Sequence, residues 1–133
     1  MWSIRWLTLT LVAIAILRAP EVVSRTLNNL GNVALIRTLA NPGRAVAQET
    51  TQAERLFRCA AQYAPSDDSN WRGLGFALAA QEREDEAIVA WRNVDTMADD
   101  FILLGEHARE SQRYTEALQW YQRAAVAEPD LGD

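Results

Sequence analysis

Apolar residues recur every three to four positions along most of the chain, and short polar stretches separate these runs. In the middle of the chain, Trp71, Leu74 and Leu78 fall on one stripe of a helix. The polar stretches 81–86 and 111–116 carry acidic residues into the segment that follows, where a helix N-terminus favours negative charge. The pattern predicts an all-α chain of short helices joined by tight turns.

The apolar pattern also repeats itself along the chain. Its upstream halves are Leu27-x2-Leu30-Gly31, Trp71-x2-Leu74-Gly75 and Phe101-x2-Leu104-Gly105, and its downstream halves are Ala53-x3-Phe57, Ala87-x3-Trp91 and Ala117-x3-Tyr121. A small residue in each half permits two antiparallel helices to approach closely, and the aromatic residue then fills the space beyond their contact. This recurrence predicts stacked helix pairs and, through the stack, a binding surface instead of an active site.

The two halves together resemble the tetratricopeptide repeat. The signature of that family is W-x2-L-G-x2-Y followed by A-x3-F and a closing proline, with a period of 34 residues. Here 34 residues separate Ala53 from Ala87. The resemblance covers residues 51–129 and extends to 21–50, and it implies antiparallel helix-turn-helix repeats in a short right-handed solenoid. A single hydrophobic N-terminal helix is expected to precede this solenoid.

Two spacings depart from the family pattern. Only 30 residues separate Gly75 from Gly105, so about one helical turn is missing before the third pair, and we expect that pair to pack with a different rotation. The first unit is ten residues longer than the second between its two halves, and it contains Asn-Pro-Gly at 41–43. Residues 21–40 are therefore either the first helix of a degenerate repeat or an amphipathic helix on a membrane surface.

The N-terminus is the second informative region. Residues 6–17 are uncharged, and residues 2–4 lengthen this run toward the roughly 20 residues that cross a bilayer. We expect a tilted single-pass anchor formed by Trp2, Trp6, Leu7, Leu9, Leu11, Val12, Ile14, Ile16 and Leu17. The alternative is a cleaved signal peptide, whose best small-x-small site, Ala45-Val46-Ala47, lies far downstream of the apolar run.

The chain divides accordingly into three parts. The anchor occupies 1–19, a helix that begins at Pro20 and a loop occupy 20–50, and a repeat domain occupies 51–133. One arginine precedes the apolar run and four follow it before residue 45, so the positive-inside tendency places the repeat domain in the cytoplasm. The resemblance suggests the periplasmic or extracytoplasmic side instead, because bacterial anchored repeat domains of this type often face outward.

Charge and reactive side chains argue against several functions. Residues 51–133 carry eight arginines against sixteen acidic residues, whereas nucleic-acid binding needs clustered positive charge. Cys59 is the only cysteine and His107 the only histidine, so we expect neither an internal disulfide nor a metal site. No motif places a nucleophile beside a base. The chain is therefore expected to be neither an enzyme nor a cofactor-binding protein.

The resemblance also implies a concave groove lined by the first helices of successive pairs. Carried onto this chain, the groove residues are Arg72, Phe76, Ile102, Glu106, Arg109 and Glu110. The two glutamates would repel the acidic peptide that clamp-type members of the family bind. A mixed apolar and polar protein surface is the expected ligand, although such positions are equally typical of ordinary solvated helix faces.

The last unit presents a further candidate surface. Repeat stacks need a terminal element with a polar outer face, and no such helix follows the last unit in this sequence. We expect Leu118, Trp120, Tyr121 and Ala125 to be partly exposed and to be covered by a partner, a second copy or further sequence. These expectations describe a membrane-anchored scaffold or accessory subunit of a membrane protein complex. An exported soluble adaptor, cleaved near Ala47, is the alternative.

Overall fold

The structure is a computed structural model that describes the backbone of residues 2–40 and 45–127 and the side chains of residues 18–38 and 46–127. This part of the chain contains six α-helices and no strand, which confirms the predicted all-α class. The helices are α1 Trp2–Ala40, α2 Ala45–Tyr63, α3 Asp68–Ala79, α4 Glu84–Trp91, α5 Met97–Glu110 and α6 Tyr114–Ala127.

The helices pack as three consecutive pairs, α1 with α2, α3 with α4, and α5 with α6. In each pair an aromatic ring of the second helix lies against a glycine of the first. The contacts are Gly31 with Phe57, Gly75 with Trp91, and Gly105 with Tyr121. A Cβ atom at Gly31 would lie 2.8 Å from Phe57 Cζ, and one at Gly105 would lie 2.5 Å from Tyr121 Cε1. The predicted close approach of the paired helices is confirmed, because these distances leave no room for a methyl group.

Phe57 also joins the first pair to the second. Its side chain is fully buried, and its ring lies against Gly73 of α3 as well as against Gly31 of α1. A Cβ atom at Gly73 would overlap the Phe57 ring. One aromatic side chain therefore fills the space where α1, α2 and α3 meet.

A cluster of aromatic rings joins the second pair to the third. Trp91 and Phe101 are fully buried, with ring centroids 4.7 Å apart in an edge-to-face arrangement. Phe76 packs edge-on against both rings, and Trp120 stacks on Phe101 at 5.7 Å. The guanidinium group of Arg123 then covers the Trp120 ring at 4.8 Å. Since α4 has only eight residues, the shortened spacing before the third pair falls in this helix and the turn that follows it.

A buried polar network holds α1 against the corner between α2 and α3. Asn70 Nδ2 donates to Ser24 Oγ at 2.9 Å and to the Ala64 carbonyl at 3.1 Å. Ser24 Oγ donates to the Ala60 carbonyl at 3.1 Å, and Asn28 Nδ2 donates to Asn70 Oδ1 at 2.9 Å. Ser24 and Asn70 are fully buried. Because a buried polar group without a partner is costly, the network fixes the position of α1 along α2 and α3.

Pro20 does not begin a helix, so this sequence-based expectation was wrong. Helix α1 runs from Trp2 to Ala40 with Pro20 inside it. An internal proline costs about 3 kcal/mol, because it removes one backbone hydrogen bond and crowds the preceding turn. The proline ring fixes φ at a value that a helix accepts, and residues 18–20 are exposed, so the ring displaces no neighbouring helix.

The side chains of the predicted anchor, Trp2 to Leu17, lie outside the described residues, although their backbone forms the first part of α1. The predicted loop at 41–43 lies outside the described residues as well. Within the described part of the chain, no helix combines the length and the apolar character needed to cross a membrane.

Candidate partner-binding surfaces

The predicted groove residues lie along α3 and α5. Several of them make ion pairs, hydrogen bonds or packing contacts with other residues of the same chain. Arg72 Nη2 lies 2.8 Å from Asp100 Oδ2, which links α3 to α5 by an ion pair. Phe76 is half-buried in the aromatic cluster, whereas Ile102 and Glu110 are exposed. Of these four predicted groove residues, only Ile102, at 46%, and Glu110 are exposed.

The other two predicted groove residues, Glu106 and Arg109, form a hydrogen-bonded trio with Tyr121 of α6. Tyr121 Oη donates to Glu106 Oε1 at 2.7 Å, and Arg109 Nε donates to Glu106 Oε2 at 2.9 Å. The Tyr121 hydrogen bond and then that of Arg109 lower the pKa of Glu106 below its ordinary 4.5. The same hydrogen bond to Glu106 raises the pKa of Tyr121 above its ordinary 10.0. The trio thus keeps the carboxylate charged and the phenol protonated, and it connects α5 to α6.

The predicted terminal residues lie on two different sides of α6. Leu118 is 57% exposed, Ala125 is exposed, and Tyr121 is half-buried against Gly105. Trp120 is half-buried on the side that stacks on Phe101. Trp120 therefore belongs to the contact between the second and third pairs, whereas Leu118 and Ala125 point away from it.

Equivalent leucines of the second and third pairs differ in exposure. Leu74 in the second pair is 5% exposed, and Leu104, at the same place in the repeated pattern, is 38% exposed. Leu30, at the same place in the first pair, is 51% exposed although the second pair follows it, so the end of the stack does not by itself account for the exposure of Leu104. Leu104 on α5 and Leu118 on α6 are both exposed apolar residues of the third pair.

A further apolar opening lies between α2 and α4, which we call the α2–α4 cavity. Its volume is about 330 Å³. It is lined by Arg58, Trp71, Leu74, Leu78, Asp85, Glu86, Val89 and Ala90. Trp71 Nε1 donates to the Pro65 carbonyl at 2.8 Å, so its one polar atom is satisfied and the ring serves as an apolar wall. Val89 is 64% exposed at the edge of this opening.

An ion-pair network connects α2 to α4 at one edge of the cavity. Arg83 Nη1 lies 2.8 Å from Glu54 Oε2, and Arg83 Nη2 lies 2.6 Å from Glu86 Oε2. Arg58 Nη2 lies 2.9 Å from Glu54 Oε1. Burial raises the pKa of Glu54, but the Gln81 hydrogen bond and the charge of Arg83 outweigh it, so that the pKa falls below 4.5. The hydrogen bond from Arg83 lowers the pKa of Glu86 in the same way.

Replacing Glu54 should therefore weaken the fold in a pH-dependent manner. A carboxyl whose pKa is lowered by folding stabilises the protein above its unfolded-state pKa and loses that contribution as the pH falls through the folded-state value. We expect Glu54→Gln to reduce the free energy of unfolding at pH 7 by about 1–2 kcal/mol and to flatten its decline below pH 4.5. Urea unfolding between pH 3 and 7 measures both effects. Glu110→Gln, on an exposed site of α5, serves as the control, and an equal loss in both variants would contradict the role of the network.

The repeat pattern alone did not predict the α2–α4 cavity. Trp71, Leu74 and Leu78 were interpreted as one stripe of a helix, and in the structure these three residues, with Trp71 half-buried, form one side of an opening. Val89 could have indicated this opening, because it is an aliphatic residue that does not occupy the motif positions Ala87 and Trp91.

The remaining reactive side chains do not gather into a site. Cys59 is half-buried and His107 is exposed. Among the described residues, no three His, Cys, Asp or Glu side chains are arranged to hold a metal ion. Comparison of the sequence with known protein families and with curated proteins gave no match.

Proposed function

We propose that this chain is a tetratricopeptide-type repeat protein that serves as a membrane-anchored accessory subunit and binds a segment of a partner protein in the α2–α4 cavity. The observation that carries this proposal is the cavity itself. Aromatic and aliphatic side chains line an opening beside a surface on which most neighbouring charges are already paired. Interfaces obtain most of their affinity from apolar anchors that enter such openings.

The lining defines the chemistry of the bound segment. A volume of about 330 Å³ lies at the lower end of small binding pockets, so it suits one or two large apolar side chains of a partner. Asp85 is exposed at the rim, and the repeat region is acidic. A basic residue beside the apolar anchor would therefore complement the rim.

The repeated glycine contacts support the tetratricopeptide assignment. The same small-residue and aromatic positions meet in all three pairs, including the first, where Gly31 receives Phe57. This shared contact favours a degenerate first repeat over a separate surface helix. A stack of such pairs positions side chains from several helices on one surface, which is how repeat proteins bind their partners.

The contacts of α1 support the anchored form over the exported alternative. Cleavage after Ala47 would remove α1, and with it Gly31 and the Ser24 and Asn28 hydrogen bonds. Phe57 would lose one of its two glycine contacts, and Asn70 would lose its buried partners. The apolar sequence 2–17 belongs to the same helix, so attachment at that end would hold the cavity near a membrane partner and raise its local concentration.

A single charge placed in the cavity tests the proposal. We expect Val89→Asp to weaken the co-purification of a partner from mild detergent at least tenfold, about 1.4 kcal/mol, because the new carboxylate must be desolvated on binding. Gln119→Glu adds the same charge at an exposed position of α6, outside the lining, and should leave co-purification unchanged. Equal binding by all three proteins, or equal loss in both variants, would reject the cavity as the binding site.

A further inference from the structure

The α2–α4 cavity has an apolar end and a charged end. Helices α3 and α4 form one pair and run in opposite directions, so the end of α3 lies beside the start of α4. Trp71 near the start of α3 and Val89 near the end of α4 line the apolar end. At the other end, Asp85 and Glu86 line the cavity in the first turn of α4. Since Val89 follows Asp85 by four residues, the two ends are about 6 Å apart along α4.

The charges at the charged end compensate one another, with one exception. Arg83 is paired with Glu54 and Glu86. Arg58 is paired with Glu54 and lies 3.7 Å from Glu86, so these two arginines neutralise the two glutamates. Asp85, by contrast, is exposed on the cavity lining and forms no ion pair with any residue that the structure describes. It therefore gives the charged end a net negative charge.

The start of α4 does not by itself account for an unpaired carboxylate at this place. Acidic residues stabilise a helix N-terminus, and Glu84 and Glu86 lie in the same first turn as Asp85. Glu84 is paired with Arg123 of α6 at 2.7 Å, and Glu86 is paired with the network between α2 and α4. Both neighbours of Asp85 thus make contacts within the protein, whereas Asp85 lies at the opening without one.

We propose that Asp85 determines which segments the cavity accepts, by binding a lysine or arginine that lies about one helical turn from the apolar anchor. Asp85 has this role only if the cavity binds a partner segment, so the inference rests on the proposed function. A segment with an acidic residue at the same place would be repelled by the net negative charge of this end. Because Asp85 is exposed, its ion pair should contribute more to selectivity than to affinity.

Selection of peptides by the full-length chain in mild detergent tests this role. A phage library of random short peptides is enriched on the native chain, on Asp85→Arg and on the control Asp68→Arg. Asp68 is exposed in the first turn of α3, as Asp85 is in the first turn of α4, but it lies outside the cavity lining. We expect a large apolar residue from all three proteins, with lysine or arginine at a fixed distance from it for the native chain and Asp68→Arg. Asp85→Arg should instead select aspartate or glutamate at that distance.

The affinity of one enriched peptide provides a second measurement. We expect Asp85→Asn, which removes the charge and keeps the size, to weaken binding about threefold, and Asp85→Arg to weaken it at least about tenfold. High salt should weaken binding to the native chain more than binding to Asp85→Asn, because salt screens an exposed charge pair. Changing the basic residue of the peptide to glutamate should restore binding to Asp85→Arg. Circular dichroism shows that each variant is folded.

The outcomes separate a failure of this inference from a failure of the proposed function. If no peptide is enriched, or if Val89→Asp binds the enriched peptides as well as the native chain does, the cavity is not the binding site and both are rejected. If Val89→Asp abolishes binding but Asp85→Arg enriches the same basic position as the native chain, the cavity binds the segment and Asp85 does not select it. An equal change of preference in Asp68→Arg would also overturn the role of Asp85, because the total charge of the chain would then account for the selection.

Discussion

Replacing Trp91 with alanine should reduce the free energy of unfolding by about 3–5 kcal/mol, the usual range for removal of a buried aromatic side chain. Trp91 is fully buried, lies against Gly75 in its own pair and contacts Phe76 and Phe101 between pairs. The cavity left by its removal would therefore open at the centre of the stack. Because small domains are stable by only about 5–15 kcal/mol, the variant should be largely unfolded at moderate urea concentrations.

Urea unfolding monitored by circular dichroism measures this loss. Val89→Ala is the matched control, since Val89 lies on the same helix but is 64% exposed. Its cost should stay within about 0.5 kcal/mol. If Trp91→Ala and Val89→Ala unfold at the same urea concentration, Trp91 does not hold the second and third pairs together.

The second large effect is expected at Gly75, where alanine should destabilise the fold by about 3 kcal/mol. In an ordinary helix the same replacement stabilises by roughly 1 kcal/mol, because alanine has the higher helix propensity. Here the added Cβ would overlap the Trp91 ring. That ring is fully buried and contacts Phe76 and Phe101, so it cannot move away from the added methyl group without displacing them. A loss of stability in Gly75→Ala would thus show that the helix contact requires a glycine, whereas a gain would show that it does not.

A double-mutant cycle tests the same contact without relying on the sign alone. Combining Gly75→Ala with Trp91→Leu removes both the methyl clash and the ring that causes it. The double variant should be more stable than the sum of the two single losses predicts, by at least about 1 kcal/mol. Additive losses, measured by the same urea unfolding, would show that Gly75 and Trp91 do not depend on each other.

The sequence predicted the contacts that depend on short, repeated spacings. Gly75 and Trp91 stand at fixed distances within one motif, so their helices can be paired without knowledge of the rest of the chain. Predictions of this kind need only local geometry.

Contacts between distant segments could not be predicted in this way. The hydrogen bond between Asn70 and Ser24 joins residues 46 positions apart, and no periodicity indicates that a serine and an asparagine will be buried together. Pro20 was interpreted as a helix start because proline is favoured at the first position of a helix. The α2–α4 cavity depends on Arg58 and Val89, which come from neighbouring pairs and become adjacent only after the pairs stack.

Site-specific photocross-linking from position 89 tests directly whether the α2–α4 cavity binds a segment of a partner protein, as proposed. A photoreactive amino acid replaces Val89 in the full-length chain, and the same residue replaces exposed Gln119 on α6 as the control. The proposed function predicts that position 89, in native membranes, attaches to one short segment of one protein, and that this segment contains an apolar side chain beside a basic one. Absence of a product at position 89, or the same scattered products from positions 89 and 119, would contradict it.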